Sequence, residues 1–350
     1  MKRFIFVLLC FFSLQVFAQG ACKSRGDLDT QYCDQNGDLV ADTPTDPKLL
    51  KTPSTIVFTY TPVEDPAVYE KIFKPFTDYL GQCTAKKVVF YQVQSNAAEI
   101  EAMRSGRLHV AGFSTGPTAF AVNIAGAVPF AVKGTEKEFQ GYNLLVIVKK
   151  DSPYKKLSDL KGKKFAHTSP SSNSGHMAPM ALFPKEGLVP GKDYNILFSG
   201  KHDQSILGVK SGDYDGAAVA SDVYHRMAKR GQINEDEFRV IYKSAKFPTS
   251  SFAYAYNLEP KFRDQLIKCF YDYRFTEEMQ KAFDGADRFY PVTFKKDWAI
   301  VRRLPRPAET MTTRVMRAPP RRGCRPGRRR GPPRARRGWA RRGRRRAPAP

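Results

Sequence analysis

Between residues 54 and 302, short β-branched and aromatic runs alternate with stretches of helical period, which limits the chain to layered α/β architectures. Residues 55–60 read as a strand, 66–79 as a helix with Pro66 tolerated in its first turn, and 86–92 as a second strand. A helix over 96–104 and a strand over 108–113 follow. Further strands are expected at 144–148, 164–166, 217–220 and 240–242, and helices at 177–183, 205–210, 222–229 and 260–271. The pattern predicts mainly parallel sheets. At 350 residues with 41 % hydrophobic residues, the chain can build one large or two medium cores.

The two ends differ from this body. Lys2 and Arg3 precede an apolar run from Phe4 to Phe17, and Val16-Phe17-Ala18 presents what a signal peptidase reads, so residues 1–18 are expected to be a secretory signal peptide. The run is too short to span a bilayer. Cys22 raises a lipid anchor as the less favoured alternative, because Gln19 stands where an aliphatic residue is expected. From Arg303 onward the chain holds eighteen arginines against one acid, Glu309, so about +17 of the net +24 lies in this tail. The body is therefore not a polyanion binder by composition, and nucleic acid is not an expected partner. Residues 303–350 cannot bury enough apolar surface to fold and are expected to be disordered. They read as an anion-binding arm, a bland charged tail or an out-of-frame terminus, the last being favoured.

Export makes the cysteines readable. Cys22 and Cys33 are the best disulfide candidates, while Cys83 and Cys269 are either a pair or two buried thiols. Residues 19–53 form a polar, turn-rich segment. Within it Asp34, Asn36, Asp38 and Asp42 alternate around Gly37 as in a calcium loop, although no Glu closes an EF-hand. A solvated turn is the competing reading. No other cofactor is implied.

Ligand chemistry gathers at strand ends. Thr168-Ser-Pro-Ser-Ser-Asn-Ser-Gly-His176 follows a strand and precedes a helix, so hydroxyls and free amides meet there as an oxyanion cradle would require. Taken alone it is equally an N-cap turn. It is not a Walker loop, because no Gly-Lys-Ser/Thr follows. Tyr60-Thr61 and Gly112–Pro117 end two other strands, and ligands of open α/β sheets sit beyond such ends. No nucleophile elbow, His-Glu-x-x-His or paired carboxylates point to an enzyme.

The stretches SNAAEIEAMRSGRLHVAGFSTGP (95–117), SSNSG (171–175), SGKHDQSILGVKSGDYDGAAVASDV (199–223) and DRFYPVTFKKDWAIVR (287–302) resemble the phosphate/phosphite/phosphonate substrate-binding proteins of ABC transporters, a likeness running from about Cys33 to Arg302. The resemblance implies a type II periplasmic-binding-protein fold: two α/β lobes, a central ligand cleft and a two-strand hinge. Lobe 1 is expected over 54–148 plus 249–302 and lobe 2 over 149–248. It implies a periplasmic, non-enzymatic, monomeric protein that captures a phosphorus oxyanion for an inner-membrane permease. A ligand-sensing subunit for a membrane signalling protein is the alternative.

By the same resemblance Ser172 and Ser174 hold ligand oxygens, with Asn173 replacing a hydroxyl that many relatives carry. Tyr142, Thr115 and His202 turn into the cleft, and Tyr60 is a weaker candidate. Asp222 accepts from a protonated ligand oxygen or pairs with an amine, and unprotonated sulfate is expected to be rejected. His202 and Asp222 are alternatively helix caps.

Overall fold

The structure is a computed structural model that describes Cys22 and residues 24–302. The expected signal peptide at 1–18 and the arginine-rich tail at 303–350 lie outside the described residues.

The strands are β1 (Thr55–Tyr60), β2 (Lys87–Phe90), β3 (Val110–Phe113), β4 (Ala127–Gly134), β5 (Gly141–Tyr142), β6 (Leu144–Lys149), β7 (Phe165–His167), β8 (Ile196–Phe198), β9 (Gly216–Ala220), β10 (Phe238–Lys243), β11 (Phe247–Pro248), β12 (Ser251–Ala255) and β13 (Arg288–Pro291). The helices are α1 (Pro66–Thr84), α2 (Asn96–Arg104), α3 (Thr115–Ala125), α4 (Ala178–Leu182), α5 (His202–Ser211), α6 (Ser221–Lys229), α7 (Pro260–Asp272), α8 (Glu277–Ala282), α9 (Phe294–Asp297) and α10 (Ala299–Arg302). One wide π turn, Asn173–Met177, leads into α4.

The strands form a sheet in the order β13-β4-β12-β3-β1-β2 and another in the order β10-β6-β9-β7-β8. Between them the short strands β5 and β11 pair antiparallel, Tyr142 opposite Phe247. The chain leaves the first sheet after β4, crosses at β5, and returns through β11 into β12. Both sheets are mixed rather than mainly parallel. β1 pairs parallel with β2 and β3, and β7 with β8 and β9. By contrast β12 runs antiparallel to β3 and β4, and β6 antiparallel to β9 and β10. The crossing is the cause: β6 and β12 are entered directly from the other sheet, not through the helical connection that makes neighbours parallel. The same crossing corrects the expected lobe boundary at 148, because Leu144–Lys149 lies inside the second sheet.

The first core is aromatic. Phe58, Phe73, Phe76, Phe252 and Phe270 are fully buried together, each burial contributing about 1.5–3 kcal/mol. The second sheet is apolar on both faces, with Ile147, Val219 and Val223 on one side and Val146, Phe165 and Phe183 on the other.

The amino-terminal segment is less polar in its packing than its composition suggests. Leu28, Tyr32, Val40 and Ala41 are buried against Val122 of α3 and Trp298. Cys22 is bonded to Cys33, and Cys83 of α1 to Cys269 of α7. The four residues of the expected calcium set are hydrogen-bonded to their own turn. Asp34 accepts from the Asp38 and Leu39 amides, Asn36 from Asp38, Asp38 from Val40, and Asp42 from Gln35. These side chains close a turn on its own backbone, as Asx motifs do. Among the described residues no group of three or more His, Cys, Asp or Glu is placed to hold a metal ion.

The Cys83–Cys269 bond ties two helices far apart in sequence, so its main effect is on the unfolded chain. Replacing both cysteines by serine is expected to lower unfolding free energy by about 2–4 kcal/mol in urea titrations, with the folded spectrum retained.

Candidate functional site

A cavity lies where the ends of the strands of both sheets face one another. Its volume is about 30 Å³, where a single water needs roughly 10–15 Å³, so it suits a small polyatomic ion rather than a nucleotide or peptide. The wall includes Tyr60, Thr115, Tyr142, Ser172, Asn173, His202 and Asp222. Of the eight sequence-predicted ligand residues only Ser174 is outside that wall, and its hydroxyl is buried without a hydrogen-bond partner.

Helix starts converge on the cavity. Asn96 opens α2, Thr115 opens α3, Asn173 opens the π turn, His202 opens α5, and Asp222 stands in the first turn of α6. Each start leaves amides without an intrahelical acceptor and a partial positive charge, so together they favour an anion without supplying a full cation. The strands end here because strand and helix share each turn: the apolar runs stop at Tyr60, Phe113, His167 and Ala220, and hydroxyl or amide side chains follow.

The serine-rich turn is held from within. The Ser172 hydroxyl accepts from the Gly175 amide at 3.1 Å. Gly175 is required because a Cβ there would fall 1.9 Å from Thr168 Oγ1. Thr168 Oγ1 and Asn173 Oδ1 are, like the Ser174 hydroxyl, buried without partners. Buried polar atoms left unpaired cost roughly 1–3 kcal/mol each, and a bound oxyanion would satisfy the donors among them.

His202 does not cap its helix. Its Nδ1 accepts from the Ala220 amide at 3.1 Å, so Nε2 carries the proton and stands 3.5 Å from Ser172 Oγ. Burial drives its pKa down to about 3, making it a neutral donor. Tyr142 on β5 accepts from Asn173 Nδ2 at 3.0 Å, and burial pushes its phenol up to about 12. Thr115 is the first residue of α3 and donates to the Pro248 carbonyl of β11 at 2.7 Å, while its own carbonyl accepts from Trp298 Nε1. Tyr60 accepts from Lys133 Nζ at 2.7 Å and donates to Ser250 at 3.2 Å. Asp222 is not the N-cap of α6, a place Ala220 takes, and its carboxylate lies 3.6 Å from Arg226.

The two lobes are closed on one another around this cavity. Asn96 Nδ2 reaches Ser169 at 3.3 Å, and the His202 amide donates to the Val63 carbonyl at 3.0 Å. Glu64 ends the same loop, wholly buried, 2.6 Å from Arg226 and paired also with Arg230. Burial alone would raise its carboxyl, but the Arg226 charge outweighs that and holds it below the usual range. Gly116 is the tightest point: a Cβ would lie 2.3 Å from the Ser171 carbonyl across the cleft.

Sequence reasoning missed Asn96, Thr249 and Ser250 in the cavity wall, and Lys133, Glu64 and Arg226 behind it. Thr249-Ser-Ser251 had the same hydroxyl-rich character as the predicted turns. The charged three carried no local signal.

A family model described as "ABC transporter, phosphonate, periplasmic substrate-binding protein" matches residues 58–298. The chain is 31 % identical over 231 residues to the phosphate-import protein PhnD of Mycolicibacterium smegmatis, covering 62 % of this chain and 71 % of that protein. It is 24 % identical over 208 residues to the phosphonates-binding periplasmic protein of Escherichia coli, covering 58 % and 62 % respectively. The crystal structure of a binding protein component of an ABC phosphonate transporter from Pseudomonas aeruginosa aligns with a TM-score of 0.64 at 24 % identity, over 71 % of this chain and 84 % of that one. PhnD1 of Prochlorococcus marinus in complex with methylphosphonate aligns with a TM-score of 0.64 at 19 % identity, over 72 % and 97 %. These likenesses establish the type II periplasmic-binding-protein fold.

His167, His176 and His202 are all buried, with pKa values lowered by burial to about 3, 4 and 3. The unfolded chain binds protons at these residues near pH 6.5 and the folded one does not, so their stability contribution is complete above about pH 6.5 and lost as pH falls toward 3–4. Urea midpoints are expected to hold level from pH 8 to about 6.5 and then fall. A His167→Gln, His176→Gln double variant should show a shallower fall, and a wild-type profile flat down to pH 4 would contradict the account.

Proposed function

The chain belongs to the periplasmic substrate-binding protein family of phosphonate ABC transporters, and on that footing we propose that its cleft captures one phosphorus oxyanion, a phosphonate, phosphite or phosphate, for import. Members of this family are binding proteins and not enzymes, work outside the cytoplasm, and serve a membrane permease. Among the described residues no helix is long and apolar enough to cross a membrane. A leader at residues 1–18 would provide for export.

The observation that carries the ligand class is the set of neutral donors converging on a small cavity: helix-start amides, the Ser172 and Thr168 hydroxyls and His202 Nε2–H, with the unpartnered Ser174 hydroxyl buried just behind the wall. A tetrahedral oxyanion offers acceptors in several directions and matches them. Asp222 is the exception, an acceptor among donors. It suits a ligand oxygen that still carries a proton, which phosphorus oxyanions retain near neutral pH and sulfate does not. Closure of the lobes then removes water from the bound ion, and periplasmic binding proteins are a well-known example of such hinge motion.

Calorimetric titration with phosphate, phosphite, methylphosphonate, aminoethylphosphonate and sulfate tests the proposal. Saturable 1:1 binding of one phosphorus oxyanion and none of sulfate is expected. Ser174→Ala and Asp222→Ala should each weaken that binding by roughly tenfold or more, about 1.4 kcal/mol per tenfold. Folded protein that binds no phosphorus oxyanion would defeat the assignment. Gly116→Ala should weaken every bound ligand without lowering the melting temperature, because its methyl group blocks the approach of Ser171 rather than the fold of either lobe. Unchanged affinity in that variant would show that closure needs no such approach.

A further inference from the structure

Lys133 sits on β4 with 1 % of its surface exposed. Its ammonium donates to Tyr60 Oη at 2.7 Å and lies over the rings of Tyr60, Phe252 and Phe283, 4.8, 5.5 and 4.7 Å from their centroids. Among the described residues no carboxylate forms an ion pair with it. Because Tyr60 lines the cavity, the Lys133 charge stands one hydroxyl behind the wall.

The charges around that wall do not balance. Glu64 is paired with Arg226 and Arg230, and Asp222 with Arg226. Two carboxylates are thereby matched by two guanidinium groups. Asp284, which also acts on Lys133, is paired with Lys229, and Lys201 of the wall turns its ammonium to Gln94. Lys133 is left over as a buried cation whose field reaches Asp222. Burial draws Lys133 down to about 7, so a neighbouring anion favours its protonated form and a neighbouring cation opposes it.

We infer that Lys133 is a specificity-determining residue of the cleft: standing behind Tyr60, it leaves the wall around Asp222 net cationic, so the site takes phosphorus oxyanions with a neutral or absent substituent and refuses those bearing an ammonium group. The inference rests on the phosphorus-oxyanion reading of the cleft and narrows it. Asp222 keeps its role as a hydrogen-bond acceptor, which needs a lone pair and not an uncompensated charge. An ammonium substituent would need that charge, and Arg226 and Lys133 already offset it. Lys133 acts on the ligand through Tyr60 and through its field, without touching it.

The test separates charge from size by using ethylphosphonate and aminomethylphosphonate, which match in shape and exchange a methyl for an ammonium group. Methylphosphonate, phosphite and phosphate complete the set, titrated calorimetrically at pH 6. The wild-type protein is expected to bind ethylphosphonate at least roughly tenfold more tightly than aminomethylphosphonate. Lys133→Met should shrink that ratio several-fold, a change that general loosening of the fold would not produce. Should Lys133→Met fail to fold, Lys133→Gln keeps a donor to Tyr60 without the charge and serves in its place. Aminomethylphosphonate bound as tightly as ethylphosphonate, or a folded variant that keeps the full ratio, overturns the inference and leaves the phosphorus reading standing. Refusal of both by a protein that binds methylphosphonate also overturns it, since size then decides. Folded protein that binds none of the set overturns both readings together.

Discussion

The closed arrangement depends on Arg226. This buried side chain of α6 holds Glu64 from the other lobe at 2.6 Å, donates to Tyr69 Oη at 3.1 Å, and lies 3.6 Å from Asp222 in the cleft. A buried ion pair gives weak net stability, because desolvating both charges opposes their attraction, yet losing one partner is expensive. Such a pair is well suited to a joint that must open and close. Parting of the lobes would return Glu64 and Arg226 to water together, so the attraction lost would be offset by hydration regained. Arg226 also links a cleft carboxylate to the joint, which places ligand contact and lobe contact on one side chain.

The cleft lines its cavity mostly with neutral donors, and the one lysine of its wall, Lys201, turns its ammonium to Gln94. Helix starts and hydroxyls supply partial charges already oriented by the fold, with little reorganisation on binding. His202 is kept neutral by burial and given one tautomer by the Ala220 amide, so it donates from Nε2. The Lys133 and Arg226 charges stand a layer back, behind Tyr60 and Asp222. Gly116 and Gly175 matter for the same reason of space, since a methyl group at either would occupy the line along which polar groups approach.

Much of this site was legible residue by residue. The alternation of strands and helices marked the turns at 60–61, 112–117 and 168–176, and the family likeness pointed to Tyr142, His202 and Asp222. All of those turns border the cavity. The turn at 249–251 was passed over because it leads from the crossing strand β11 into the start of β12 instead of from a strand end into a helix, so no α/β period announced it. The mixed strand directions were illegible for that reason too: nothing local marks the point where the chain passes from one sheet to the other. The acidic loop at 34–42 was ambiguous in the sequence, because aspartates that close turns and aspartates that bind calcium share spacing and differ only in where their oxygens point.

Local sequence sets the elements and the chemistry at their ends, because period, β-branching and capping residues act within a few positions of the chain. Which ends meet, and which charges stand behind them, is a matter of long-range packing. Lys133 reaches Tyr60 across 73 positions and Arg226 reaches Glu64 across 162, so their pairing depends on the crossing at β5 and β11. Burial then turned three ordinary histidines neutral and, among the described residues, left Lys133 without a carboxylate partner. Neither outcome is a property of a residue type; both follow from the removal of water when the lobes and their cores close.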